Sequence, residues 1–281
     1  RKYNRIIFIK LYVLNKMSLY LNLLKFSLKN PKRGLQILES AYQSKEDKQH
    51  LHVYDNERVE FRQSLSGLFP SLNVPFEEFV QNTNSLRNHL EEFQKKMEMK
   101  KFPSIEKPYP TDYSLEEQSG MFLYSLCRIV KPEIIVETGV AYGRSSSYIL
   151  QALKDNKKGK LYSIDFTFRP WESKSMIGSA IPKNLRDRWE FIFGPSSKKL
   201  KPVLNKLEKI DIFLHDSLHT FKNMMFEFQT AWPFIKDNGF LLSDDILGNA
   251  AFFDFYSKFG GQPTVLSQGG KSAMGILQKV Q

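Results

Sequence analysis

The sequence predicts an α/β protein, with a mostly parallel seven-stranded sheet that closes in an antiparallel hairpin and follows an α-helical region. Three observations carry this expectation. From residue 133 onward, short apolar runs alternate with helical stretches, the pattern of a parallel sheet covered on both faces. The tail PTVLSQGGKSAMGILQK reads as two strands joined at Gly269-Gly270. Upstream, the periodicity is helical and stops at FPSIEKPYPTDYS, where three prolines fall in a short span.

Taken in order, Asn30-Pro31 reads as an N-cap followed by proline at the first helical position, starting a helix through about Tyr42. Two further helices are expected near 56–68 and 76–99, the second with a charged, solvated face. The proline-rich linker then divides a helical arm and cap, residues 1–110, from an α/β domain, residues 111–281. Ser114 and Glu117 have capping-box spacing before an apolar helix that Lys131-Pro132 stops. Strand and helix then alternate. EIIVETG precedes RSSSYILQALKD, KLYSIDF follows, and WEFIFG precedes SKKLKPVLNKL. IDIFLHD precedes FKNMMFEFQTAWPFI, and GFLLSDD precedes NAAFFDFYSKF.

Composition narrows the class. With 281 residues, 41% hydrophobic and 25% charged, the chain has globular proportions, which excludes wholesale disorder and a collagen-like fibre. Cys127 is the only cysteine, so neither a disulfide framework nor a cysteine-rich zinc site is available. The net charge of +11 is concentrated at the start of the chain. Nine basic residues (Arg1, Lys2, Arg5, Lys10, Lys16, Lys25, Lys29, Lys32 and Arg33) precede the first acid, Glu39. Residues 34–281 then hold 32 basic against 30 acidic side chains. A nearly neutral body argues against a nucleic-acid partner.

The basic arm is also rich in Leu, Ile, Tyr and Phe. Lysines at 10, 16 and 25 interrupt it, so no run reaches the ~18–20 apolar residues of a membrane span. Basic residues continuing through the apolar part, with no small-residue cleavage site, argue against a signal peptide. Two readings stay open for residues 1–33. One is burial against the helices of 31–100 or in a homo-oligomer; the other is an interfacial helix on anionic lipid. Burial is the expectation, because the lysines leave no clean polar face. The expected location is the cytoplasm, with or without contact to a membrane surface.

In open α/β sheets, ligands bind at the carboxyl ends of the strands. The first strand ends in Glu137-Thr138-Gly139, and Gly143 follows in a turn that leads into Arg144-Ser145-Ser146. Glycines there let backbone approach a ligand, and the next helix offers free N–H groups. The spacing is G-x-x-x-G with no third glycine, which argues against a nicotinamide dehydrogenase. Asp165 ends the second strand, placed to accept ribose hydroxyls. Gly194 and Ser196 follow the third strand and could border a flat base. The fourth strand ends His215-Asp216-Ser217-Leu218-His219 and the fifth Ser243-Asp244-Asp245. Asp216, Asp244 and Asp245 form a candidate magnesium site, unless some of them cap the following helices. An amino-directed nucleic-acid enzyme would be expected to carry an Asn/Asp-Pro-Pro-aromatic turn where this chain has HDSLH.

From about Ser114 to the end, the chain resembles a class I S-adenosylmethionine-dependent methyltransferase with a Rossmann-like sheet. ETGVAYGRSS is similar to the family's first motif, SIDF to its second-strand acidic motif and FGPSS to its adenine-side motif. IDIFLHDSLHTFKNMMFEFQTAWPFIKDNGFLLSDDI resembles the macrocin-type and sugar O-methyltransferase branch, and more loosely catechol O-methyltransferase. The fourth strand departs from that branch's I-D-G-D-H-S-Y at Ser217 and Leu218. The resemblance implies S-adenosyl-L-methionine as cofactor, held by Glu137, Thr138, Gly139, Gly143, Ser145, Asp165, Gly194 and Ser196. It implies Mg2+ on Asp216, Asp244 and Asp245, and His219 as general base with Asp216 in the catalytic set. The implied reaction is O-methylation of a hydroxyl on a small molecule or glycan. A hydroxylase-like relative or a non-catalytic cofactor-binding protein is the alternative.

Overall fold

The computed structural model describes residues 20–54, 60–111, 116–260, 263–268 and 272–280. Residues 1–19 of the basic arm, and Ser114 with its expected capping box, lie outside them. Helical residues 20–29 (α1) lead to α2 (Pro31–Asp47), with Pro31 at its first turn. Asn30 does not cap α2 through its side chain; its amide instead donates back to the Phe26 carbonyl at 3.3 Å. α3 (Phe61–Leu68) and α4 (Phe76–Glu98) follow, the latter with Glu77 and Glu78 at its start and Lys95 and Lys96 at its end. That order of charge suits the helix dipole. α5 (Glu117–Val130) ends at Lys131, whose left-handed backbone (φ 50°) returns its N–H to the Cys127 carbonyl. Cys127 is buried, and burial pushes its thiol pKa up.

The α/β part then runs β1 (Ile134–Thr138), α6 (Arg144–Asp155), β2 (Lys160–Asp165), β3 (Trp189–Phe193), α7 (Ser196–Leu207), β4 (Ile210–His215), α8 (Phe221–Ala231), β5 (Ile235–Ser243), α9 (Ala251–Phe259), β6 (Pro263–Gln268) and β7 (Ser272–Gln278). The sheet order is β3-β2-β1-β4-β5-β7-β6. β1 pairs in parallel with β2 on one side and β4 on the other, and β4 pairs in parallel with β5. β7 is antiparallel to both its neighbours. The expected sheet and closing hairpin are therefore present. β5 begins four residues before Gly239, because α8 stops at Ala231 and Trp232–Phe234 form a single tight turn.

Successive strand residues point to opposite faces and build two cores. Ile135, Ile212, Leu214, Phe240 and Leu242 pack with α3 to α6, while Val136, Phe213 and Leu241 pack with α7 to α9. Phe61, Leu65, Phe79, Leu86 and Leu90 share the first cluster with Phe122 and Tyr124, so α3 and α4 cover the sheet together with α5 and α6. Among the described residues, α1 and α2 contribute to neither cluster. No described helix is long and apolar enough to cross a membrane.

α2 reaches the body through polar contacts. Arg33 donates to the Thr167 carbonyl, the Phe221 N–H donates to Asp47 at 2.9 Å, and Lys222 meets Glu39 at 3.1 Å. These contacts lie beside the carboxyl ends of β2 and β4. Between β2 and β3 the chain contains only two short turns, Lys174–Met176 and Lys183–Arg188. Phe213→Ala, in the centre of the α7–α9 face, should lower unfolding free energy by about 3–5 kcal/mol in urea titrations, with the slope unchanged.

Candidate active site

The topological switch lies between β1 and β4, where the strand order reverses. Backbone crowding dictates the turn after β1. Gly139 has φ 81°, and a Cβ there would sit 1.9 Å from the Asp216 carbonyl oxygen. Gly143 has φ 90° and precedes α6, with Ile181 and Gly178 where its side chain would be. The Asp216 N–H donates to the Thr138 carbonyl at 2.8 Å, which joins the β1 turn to the end of β4.

Asp165 holds this turn. Its Oδ2 accepts the Val140 and Ala141 N–H groups at 2.9 and 3.0 Å, and its Oδ1 accepts Phe166 N–H at 2.7 Å. Ala141 takes a left-handed backbone (φ 46°) to present its amide. Burial pushes the Asp165 pKa up to about 6, even though the three amides act in the opposite direction. An ionised carboxylate has about four acceptor sites, so one is left for a ligand hydroxyl. Gly194 donates its N–H to the Asp165 carbonyl at 2.9 Å, bringing the β3 turn to the same edge.

Three of the residues expected to bind cofactor lie under the turn instead. Glu137 is fully buried and accepts Ser145, Ser146 and Ser163 hydroxyls at 2.5, 2.6 and 2.7 Å. Burial raises its pKa, with the three hydroxyls opposing the rise. Thr138 is also fully buried and donates to Glu227. The side chains of Glu137, Thr138 and Ser145 are thus spent within the protein and shape the turn from beneath. Ser196, at the start of α7, has its hydroxyl near Glu227.

At the ends of β4 and β5, ligand atoms of Asp216, His219 and Asp244 all lie within 4.8 Å of one another. Asp245 does not join them. Its left-handed backbone (φ 48°) turns the side chain toward Ser272, whose hydroxyl it accepts at 2.8 Å, and its other oxygen is 3.9 Å from His219 Nδ1. Of the expected set Asp216, Asp244 and Asp245, Asp245 thus stands apart, and the group whose ligand atoms converge is Asp216, His219 and Asp244. Burial, then the Asp244 carboxylate beside it, raise the Asp216 pKa well above its usual range. A cation would relieve that repulsion, so two carboxylates and an imidazole fit a divalent ion. Oxygen-only coordination suits magnesium, and a bound imidazole favours later transition metals. Burial, then the nearby His215, lower the His219 pKa, and its Nε2 has no hydrogen-bond partner.

Sequence reasoning assigned no role to the pair beneath this cluster. His215 and Glu227 are fully buried, with Nδ1 2.6 Å from Oε2. Glu227 also accepts Ser217 Oγ at 2.8 Å and Asn223 Nδ2 at 3.2 Å. Burial alone would raise the Glu227 pKa, but His215 and the surrounding donors hold it below the usual range. The signal was in the sequence, since Met224, Glu227, Phe228 and Ala231 form the buried stripe of α8 and an acid stands at a core position. Glu227→Ala should cost about 3–5 kcal/mol in urea unfolding, because it strands His215 and its neighbours in a dry interior. The near-isosteric Glu227→Gln should cost less in the same assay.

Residues 136–246 match the family model described as a methyltransferase domain. No curated protein matches the chain by sequence. The O-methyltransferase of Bacillus cereus, solved with S-adenosylhomocysteine, superposes with TM-score 0.51 at 18% identity, over 77% of this chain and 96% of its own. TomG of Streptomyces achromogenes, an O-methyltransferase of tomaymycin synthesis solved with S-adenosylmethionine, gives 0.51 at 16% identity, over 79% and 100%. PaMTH1 of Podospora anserina, a methyltransferase bound to S-adenosylhomocysteine, gives 0.50 at 16%, over 82% and 98%. At these identities the superpositions speak for the fold, and the family match speaks for the segment that carries the strand ends. Residues 136–246 are thus similar to a methyltransferase-domain family, and the chain has the class I methyltransferase fold.

Proposed function

We propose that this protein is an S-adenosylmethionine-dependent O-methyltransferase acting on a hydroxyl of a small molecule or sugar. The observation that carries the reading is the junction of two features at adjacent strand ends. A tight glycine turn held by Asp165 lies beside the cluster of Asp216, His219 and Asp244, and the Asp216 N–H ties the two through Thr138. The O-methyltransferases of Bacillus cereus and Streptomyces achromogenes, bound to S-adenosylhomocysteine and S-adenosylmethionine, support the cofactor and the reaction class.

The chemistry is a displacement at the methyl carbon. The acceptor oxygen forms a bond to that carbon as the bond to the sulfonium sulfur breaks, releasing S-adenosylhomocysteine, and the hydroxyl proton goes to a base. Alignment supplies much of the rate, and the turn after β1 and Asp165 would provide it by fixing the amino-acid and ribose ends of the donor. His219 is the base. Its lowered pKa keeps it neutral further into acid than an ordinary histidine, and its unpartnered Nε2 is free to take a proton. A divalent ion held by Asp216 and Asp244 would lower the pKa of the acceptor hydroxyl. His219 cannot serve as a ligand to that ion through the nitrogen that takes the proton.

Calorimetry should detect S-adenosylmethionine binding and no comparable binding of NAD. Affinity should hold steady above about pH 7 and fall as pH drops through about 6, because protonation removes the charge that accepts the ribose hydroxyl. Asp165→Asn should weaken binding and flatten that pH dependence; a parent protein whose affinity ignores pH would remove Asp165 from the site. In turnover assays with hydroxylated acceptors, His219→Ala should slow methyl transfer by roughly 10²–10⁴-fold while sparing cofactor affinity. Excess chelator should abolish turnover and added magnesium restore it. Full activity in chelator would dispense with the ion and leave His219 as the base.

A further inference from the structure

The N-terminal helices carry a feature that methyl transfer does not use. Seven large apolar side chains on α1 and α2 (Tyr20, Leu21, Leu24, Leu28, Leu35, Leu38 and Tyr42) are each 53–76% exposed. They are not scattered. On α1, Tyr20, Leu24 and Leu28 repeat every four residues, and Leu21 lies on the same flank. On α2, Leu35, Leu38 and Tyr42 follow the i, i+3, i+7 pattern of one helix face. Each helix turns a different face to the protein. Leu23, Phe26 and Ser27 are half-buried on α1, and Gly34 is buried on α2, where a Cβ would come within 2.5 Å of Ser27. The two helices are therefore folded tightly on each other, with their apolar stripes still uncovered.

The charge around the stripes selects the occupant. Lys25 and Lys29 flank the α1 stripe, Lys32 and Arg33 open α2, and no acid occurs before Glu39. Two copies meeting through these faces would bring two such basic segments together, and like charges in an interface are costly. An anionic bilayer has the complementary charge, and its headgroup region accepts leucine and tyrosine side chains from a helix lying in its plane.

We infer that α1 and α2 form a docking surface for an anionic lipid membrane, with Leu21, Leu24, Leu28, Leu35, Leu38 and Tyr42 entering the headgroup region and Lys25, Lys29 and Lys32 facing the lipid phosphates. Arg33 and Asp47 then hold the docked helices to the 167 loop and the start of α8, at the edge of the candidate active site. The membrane surface would then lie beside the strand ends that carry the candidate site.

The test is co-sedimentation of the full chain with vesicles of phosphatidylcholine alone or mixed with phosphatidylserine, alongside light scattering without lipid. Binding is expected to the mixed vesicles, weaker to the neutral ones, and reduced by added salt. Leu24→Ser with Leu28→Ser, and separately Lys25→Glu with Lys29→Glu, should each weaken it by about tenfold or more. All four sites are exposed, so the melting temperature and cofactor binding should not change. Absence of vesicle binding, or binding unaffected by both double variants, overturns the inference. So does a dimer that Leu24→Ser with Leu28→Ser dissociates in a protein that ignores lipid, since the faces would then belong to a second copy.

Discussion

The contact between Glu227 and His215 stands where β1, β4 and α8 meet, and the candidate site is arranged around it. Glu227 reaches back from the buried face of α8 to the last residue of β4 and also accepts hydroxyls from Thr138, at the end of β1, and Ser217, in the next loop. A carboxylate in a water-free interior is tolerable only when its acceptor positions are filled. Filling them requires the ends of both strands and the first turns of α8 to hold fixed relative positions. Asp216 and His219 leave the backbone from that fixed stretch, so the pair beneath them sets where they point. The two histidine rings meet edge to face with centroids 5.3 Å apart, which carries the constraint into the cleft.

Glu137 plays a parallel part on the other side of β1. Three serine hydroxyls bind it, two from the first turn of α6 and one from β2, so the glycine turn is braced from below while Asp165 braces it from above. The arrangement concentrates acids at the strand ends, and stability bears the cost. A carboxyl whose folded pKa is raised to about 6 binds protons more tightly in the native state than in the unfolded chain. Its contribution to stability is therefore fully present at low pH and declines as pH rises toward about 6, the opposite of a salt-bridged aspartate. Asp216, also raised, acts in the same direction. A site that must be charged to hold ligand is thus least comfortable empty, and a bound cofactor or cation would relieve it.

The N-terminal helices follow a different logic from the rest of the chain. α3 and α4 bury their apolar faces on the sheet, as amphipathic helices of a globular core do, whereas α2 attaches by an arginine, an aspartate and a glutamate. Polar attachment leaves the apolar faces available. Within residues 20–29, Lys25 and Lys29 fall in a row beside Tyr20, Leu24 and Leu28 once the segment is wound at 3.6 residues per turn.

Hydrophobic period and turn chemistry determined most of the fold from sequence. Buried parallel strands read as short apolar runs, and β7 reads as a hairpin partner because Gly269-Gly270 interrupts its run. The strand-end positions of Gly139, Asp165, Asp216, His219 and Asp244 were legible for the same reason, since a parallel sheet sends every such end to one edge. Only the tertiary structure decided which side chains face the cleft. Glu137, Thr138 and Ser145 carry ligand-binding chemistry in sequence but meet buried partners from other elements, and Asp245 turns toward Ser272, a residue 27 positions away. Glu227 shows the reverse. It is an acid within an apolar helix whose purpose depends on His215, twelve residues upstream and on another element. Spacing along the chain fixes the element and the end on which a residue sits, while orientation at that end depends on neighbours that only folding brings together.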